Sequence, residues 1–233
     1  MRIEATLPVG ACGGCMNYMK DIGTAENPGA PRPSRRRRGD DVRARILAHA
    51  LDCFGTHGFE GASTRTIAEL AQTSHTLVLY HFQSKERLWL ATMDEALRKY
   101  AGEMTASLRN CGPLPVRAAL RNFIEQFVRL SARHPQIHRI LTMESNQGTA
   151  RLKWVIDQFL RDYFTRVCDL IRRGQAEGTV RQCDPARLYY HIIGSAGTPF
   201  TIATEYEAIT GRDVFSEAEI LRNIAFIDEI VFI

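Results

Sequence analysis

Residues 63–90, STRTIAELAQTSHTLVLYHFQSKERLWL, constrain this chain more than any other stretch. Two short helical patterns sit on either side of a tight turn. The first places Ile67, Ala68 and Ala71 on one face behind a Thr64 N-cap; the second starts at a Ser74 cap and carries Leu77, Val78 and Phe82. Helices this short are marginal alone, so both must pack on a neighbour. The spacing predicts a helix-turn-helix, whose first helix braces a second that offers its N-terminal side chains to a DNA major groove.

Residues 40–62 supply the brace. Asp40 or Asp41 is positioned to cap a helix whose Ile46, Leu47, Ala50, Leu51 and Phe54 share one face, and Gly58 is its expected C-terminal stop. After the turn, Ser84 caps a fourth helix through Trp89, Met93, Leu97, Tyr100 and Met104, with no flexible linker before it.

Phe54, Gly58 and Phe59, then Thr64-Arg65-Thr66-Ile67-Ala68, then Ser74 and Tyr80-His81-Phe82-x-Ser84-Lys85-Glu86-x-Leu88 together resemble the DNA-binding domain of the TetR family of bacterial transcription regulators. The resemblance covers about residues 42–90. It departs from the family pattern at Gln72, where Gly is usual, and at Leu79, where an aromatic is usual. The resemblance implies that Thr64 and the neighbouring backbone hold phosphate and that Arg65 reaches a base edge or phosphate. By the same resemblance Ser74, His75, Thr76, Leu77 and Tyr80 face the groove, while His81 and Lys85 approach the DNA backbone. Chemistry agrees in part: Arg65 can pair bidentately with guanine, Thr76 can bond base edges, and Leu77 can touch a thymine methyl.

The rest of the chain reads as helical. Residues 116–133 carry Ala119, Leu120, Phe123, Ile124, Phe127 and Leu130 at helical spacing, and Pro135 marks a break. A shorter segment spans residues 136–145. A single long helix is expected over residues 151–173, ended by Gly174 and Gly178. Asp184-Pro185 opens another, which Pro199 should kink or end, and Ser216 to Glu219 forms a capping box before the last. No strand pattern competes. The expectation is an all-α chain with a basic tail over residues 1–39, a helix-turn-helix domain over 40–86, and a helical effector-binding and dimerisation domain over 87–233.

A chain of 233 residues with 45% apolar content can bury a substantial core. A net charge of +4 excludes an all-over polycation, so nucleic-acid binding must come from a local patch. No apolar run approaches the length of a membrane span, and Glu4 and Pro8 interrupt any secretory signal, so a cytoplasmic location is expected. The arginine run at residues 35–38 reads either as an arm along phosphates or as a solvated charge run.

Six cysteines are scattered apart from Cys12 and Cys15. Their spacing is that of a redox dithiol or half a zinc site, but neither further ligands nor a neighbouring βαβ unit is visible. A helical dithiol redox or metal-binding protein is therefore the alternative reading. No P-loop, dinucleotide fingerprint or nucleophile elbow is present, so no catalytic residues, cofactor or metal are expected. His134 and His138 have metal-ligand spacing, but Pro135 intervenes; His138 and Glu144 are a second pair that a helical fold can bring together.

The resemblance also implies a homodimer, commonly a repressor that leaves a palindromic operator on binding a small molecule. The last two long helices would form the interface, for which Gly194, Ser195, Ala196, Gly197, Ile220, Leu221, Ile224 and Ile227 are the expected residues. Phe127, Met143, Trp154, Phe159, Tyr163 and Tyr190 are candidates for the effector pocket. With no basic cluster on these segments, an apolar or aromatic effector is expected.

Overall fold

A computed structural model describes residues 35–109 and 114–233, and among them every regular element is helical. The helix-turn-helix head is built from α1 (Arg35–Gly61), α2 (Thr64–Leu70) and α3 (His75–Phe82), and α4 (Lys85–Arg109) carries it into the body. The body comprises α5 (Val116–Arg133), α6 (Pro135–Gln147), α7 (Ala150–Val155), α8 (Arg161–Ala176), α9 (Pro185–Thr201), α10 (Ala203–Thr210) and α11 (Glu217–Val231). An all-α architecture with an N-terminal helix-turn-helix is thus the observed fold.

The first helix starts earlier than its aspartates suggest. It begins at Arg35, within the segment read as tail, and Asp40 and Asp41 lie inside it. Arginine is a good helix former, and the single Gly39 weakens a helix by only about 1 kcal/mol. At Gly58 the helix breaks, with φ 68° and ψ 179°, a conformation open essentially to glycine. Ser63, one residue before Thr64, caps α2 by accepting from Arg65 N. Ser74 and Ser84 cap their helices through Leu77 N and Arg87 N, as their positions predict.

Two hydrophobic cores divide the molecule. The head core holds Ile46, Phe54, Ile67, Val78, Phe82, Leu88 and Trp89, but also Ile137 and Ile140 of α6 and Val155 of α7. Each large side chain buried there contributes about 1.5–3 kcal/mol. α1 packs closely on α6, where a Cβ at Gly55 would lie 2.7 Å from Gln136 Cβ, and Gln136 donates to Asp52 Oδ1 at 2.7 Å. Head and body therefore share a core rather than meeting at a polar seam. The body core gathers α5, α8, α9 and α11 around Leu120, Ile124, Ile171, Ile192, Phe200 and Ile227. Tyr100 of α4 packs against both.

The helix expected over residues 151–173 is interrupted. Residues Ile156–Leu160 form a π-turn between α7 and α8. One residue turns a helix by about 100°, so this insertion lets a single rod face two cores. Val155 before it packs in the head core, whereas Val167, Cys168 and Ile171 after it pack in the body core. Gly174 is an interior residue of α8 rather than its stop.

α9 runs through Pro199 to Thr201 instead of ending there. A proline has no N–H to give the carbonyl four residues earlier. That carbonyl, Ser195 O, instead accepts from Asn223 Nδ2 of α11 at 3.1 Å. The short α10 is additional to the expected helices; none of its residues is fully buried, and it packs on the body core through Ala203 and Tyr206. Ser216 caps α11 through Glu219 N, but the Glu219 carboxylate meets Tyr206 OH and Arg222 rather than closing the capping box.

The orientation of α11 corrects the expected dimer residues. Ile220, Ile224 and Ile227 are buried in the chain's own core, as is Ala196. The apolar side chains that α11 leaves exposed are Leu221 and Phe226.

Candidate nucleic-acid interface and effector cluster

The turn between α2 and α3 keeps its shape despite lacking the usual glycine. Gln72 takes a left-handed conformation, φ 50°, while Gln72 N and Thr73 N bond to Glu69 O and Ala68 O. Val78 and Phe82 point into the head core, which forces the opposite face of α3 outward. Ser74, Thr76 and Tyr80 are exposed, Tyr80 to 78%. Arg65 is exposed at the start of α2. His75 and Leu77 are half-buried, and His75 Nε2 lies 3.0 Å from Thr64 Oγ1, joining the two helices at their N-terminal ends. His81 meets Tyr80 edge-on at 5.6 Å between ring centroids. Lys85 donates to Glu60 O at 3.1 Å and lies over the Phe59 ring, so it braces the head from the start of α4. Leu79, where the family pattern has an aromatic, is also exposed beside Tyr80, on the face its spacing from Thr76 gives it.

The six candidate effector residues fall in four places. Phe127 and Tyr163 belong to an aromatic cluster with Phe123, Tyr100 and His138, with centroid distances of 5.8 Å for Phe123–Phe127, 5.7 Å for Phe123–Tyr163 and 5.3 Å for Phe127–His138. Trp154 and Phe159 pair with each other at 5.8 Å and pack on the head core. Met143 lies beside Gly58, and Tyr190 is exposed next to Phe164 and Tyr189.

The cluster around Phe127 is polar at its centre yet uncharged. Ser131 Oγ donates to Phe127 O at 2.7 Å and lies 2.9 Å from His138 Nε2. The serine's proton is thereby committed, so His138 Nε2–H is the donor to Ser131 Oγ. Burial lowers the His138 pKa to about 4, which keeps it neutral. Burial also pushes the Tyr100 and Tyr163 hydroxyls up, holding both protonated. The Tyr163 hydroxyl has no hydrogen-bond partner, whereas a hydrogen bond to Ser131 partly offsets the rise at Tyr100. An unsatisfied buried hydroxyl costs about 1–3 kcal/mol. Such a donor among aromatic rings is suited to a neutral ligand with an acceptor atom.

A separate open cleft of ≈ 260 Å³ lies between α1, α4 and α6, lined in part by Leu47, Leu51, Thr92, Lys99, Tyr100 and His134. None of the six candidates lines it. Two of its acidic groups are already engaged, Asp52 by Gln136 and Glu95 by Arg43. His138 and Glu144 do not form a pair: His138 bonds Ser131, and Glu144 bonds Arg151. Among the described residues no group of three or more His, Cys, Asp or Glu is placed to hold a metal, and no helix is long and apolar enough to cross a membrane. Cys12 and Cys15 lie outside the described residues.

An exposed recognition helix braced on an all-helical body defines a DNA-binding regulator. Residues 46–92 match the family model described as bacterial regulatory proteins, tetR family, and residues 115–231 match that of the tetracyclin repressor-like C-terminal domain. The chain belongs to the TetR family of transcription regulators, and it is not an enzyme. It is 30% identical over 186 residues to the HTH-type transcriptional regulator RutR of Escherichia coli K12, spanning 80% of this chain and 86% of that one. It is also 30% identical over 151 residues to the HTH-type transcriptional repressor AcnR of Corynebacterium glutamicum, covering 65% and 75% respectively. Among solved structures, AibR in complex with isovaleryl coenzyme A and operator DNA shares the fold, with TM-score 0.67 and 16% identity over 82% of this chain and 98% of that one. A TetR transcriptional regulator from Chloroflexus aurantiacus gives TM-score 0.60 at 22% identity, covering 84% and 99%.

Proposed function

We propose that the protein is a cytoplasmic homodimeric repressor that reads a palindromic operator and is released from it by an uncharged aromatic effector. The observation that carries this reading is the pairing of an outward-facing α3 with a body whose core holds the unpartnered hydroxyl of Tyr163 among aromatic rings. Arg65, Thr76 and Tyr80 contact bases, Leu77 meets a thymine methyl at the groove edge, and Thr64, Ser74, His75, His81 and Lys85 position the backbone. The effector occupies the cluster of Phe127, Tyr163, Phe123 and Tyr100 and accepts a hydrogen bond from Tyr163. Isovaleryl coenzyme A, the ligand of AibR, carries phosphates; no Lys or Arg is among the residues of this cluster, which favours a neutral ligand here. The exposed Gly194 and Thr198 of α9, with Leu221 and Phe226 of α11, form the dimer face.

The test begins with selection of duplexes from a random library by the purified protein. A palindrome is expected, and Arg65→Ala and Tyr80→Ala should each weaken its binding by about 1–3 kcal/mol while leaving random-duplex affinity unchanged. Equal loss on both duplexes would reassign these side chains to phosphate contacts.

A further inference from the structure

The turn joining α6 to α7 carries buried charge up to the DNA-reading head. Glu144 is only 3% exposed. Its carboxylate accepts from Thr149 Oγ1 and from Arg151 Nε, the latter at 3.0 Å. Thr149 also caps α7 by accepting from Leu152 N, so carboxylate, cap and guanidinium form one connected unit. A buried ion pair adds little stability over an apolar replacement, so stability alone is a poor reason for this one.

What the pair does is aim the guanidinium. Arg151 Cζ lies 3.6 Å from the centre of the Phe59 ring and 5.7 Å from that of Trp89. Phe59 follows the break at Gly58 and stacks on Phe54 at 6.2 Å, interplanar angle 14°. Trp89 is fully buried one turn into α4. These two residues mark where the chain leaves α1 and where it enters α4, on either side of the helix-turn-helix. A planar group wedged against both fixes the angle between the head and the body through a contact separate from the continuous α4.

We infer that Arg151 is a positioning residue for DNA binding: held by Glu144, it sets the orientation of the reading head through Phe59 and Trp89. This rests on the proposed dimeric reading of a two-half-site operator and is independent of the effector's identity. Lysine conserves the charge but lacks the flat face that stacks on a ring, so Arg151→Lys removes the wedge while sparing the ion pair. An ammonium keeps the electrostatic part of a cation–π contact, so what Arg151→Lys loses is the planar stack, roughly tenfold in a coupled equilibrium.

Two measurements test the inference in the full-length protein. With a duplex selected by the wild type, Arg151→Lys should bind the two-half-site operator roughly tenfold more weakly while single half-site affinity is unchanged. Phe59→Leu, which also removes the ring under Lys85 and the stack on Phe54, should weaken the operator at least as much, and adding Arg151→Lys to it should cost less than a further tenfold. Equal loss on half-site and operator, or unchanged binding of both, would overturn the inference. Without DNA, hydrogen exchange at the amides of residues 59–62 should quicken in Arg151→Lys at unchanged helix content. Wild-type protection there would overturn it as well, whatever the operator proves to be.

Discussion

The head and the body bury similar helices, and each leaves polar groups unmet, Trp89 Nε1 in the head core and a larger set in the body. In the head, hydroxyls cap helix ends: Ser63, Ser74 and Ser84 each accept from a backbone amide. In the body, the Tyr163 hydroxyl and Asn122 Nδ2 are buried with no partner. A surface that must meet DNA in one register gains from helix ends whose amides are satisfied. A core that must admit a ligand gains from groups whose best partner has yet to arrive. The difference separates a part built for shape from a part built for response.

The largest expected effect tests which face of α11 belongs to the core. Ile224 is 7% exposed, so Ile224→Arg should unfold the body, lowering stability by about 3–5 kcal/mol in denaturant titration. Leu221 is 50% exposed, and Leu221→Arg should leave stability within about 0.5 kcal/mol while shifting sedimentation toward monomers. The reverse pattern would mean that α11 is rotated in the assembled protein.

Next comes acid sensitivity, which should reside in the body. His138 has a pKa of about 4 when folded, below its ordinary 6.5, so the unfolded chain binds more protons between those values. Its contribution is intact above pH 6.5 and is lost as pH falls toward 4, by about 3 kcal/mol in all. His138→Gln should flatten that part of the stability profile. An unchanged slope would assign it to another group.

The smallest effects have opposite signs in the two regions. Ser74→Ala should destabilise by about 1 kcal/mol through loss of the cap. Tyr163→Phe should stabilise the ligand-free protein by about 1 kcal/mol, because it removes an unmet donor, and should weaken effector binding. Equal signs, read by thermal unfolding, would erase the distinction between the regions.

The head was legible because its signals are local: caps, turn residues and a short apolar period set the helices one by one. Gln72 shows the limit, since its left-handed conformation is imposed by the turn and not by its own preference. The body was legible as helices but not as faces. The apolar residues between Leu152 and Ile171 fit one continuous period, and nothing in that pattern distinguishes two cores served through a π-turn. For the same reason Trp154 and Phe159 look equivalent to Phe127 and Tyr163 in sequence, although the first pair packs on the head and the second sits in the body. Ile220, Ile224 and Ile227 likewise define an apolar stripe without saying whether a second subunit or the chain itself covers it.

The proline in α9 gives Asn223 a task that exists only because of a defect elsewhere. In a regular helix the Ser195 carbonyl would be occupied, and an amide arriving from α11 would find nothing to hold. With Pro199 present, that vacancy becomes a keyed socket that fixes how far α11 slides along α9. The two positions are thus bound by a conditional rule: a lineage that replaced Pro199 would free Asn223 to drift, and one that lost Asn223 first would strand a carbonyl. Their substitutions should accordingly travel together, although 24 positions separate them in the chain.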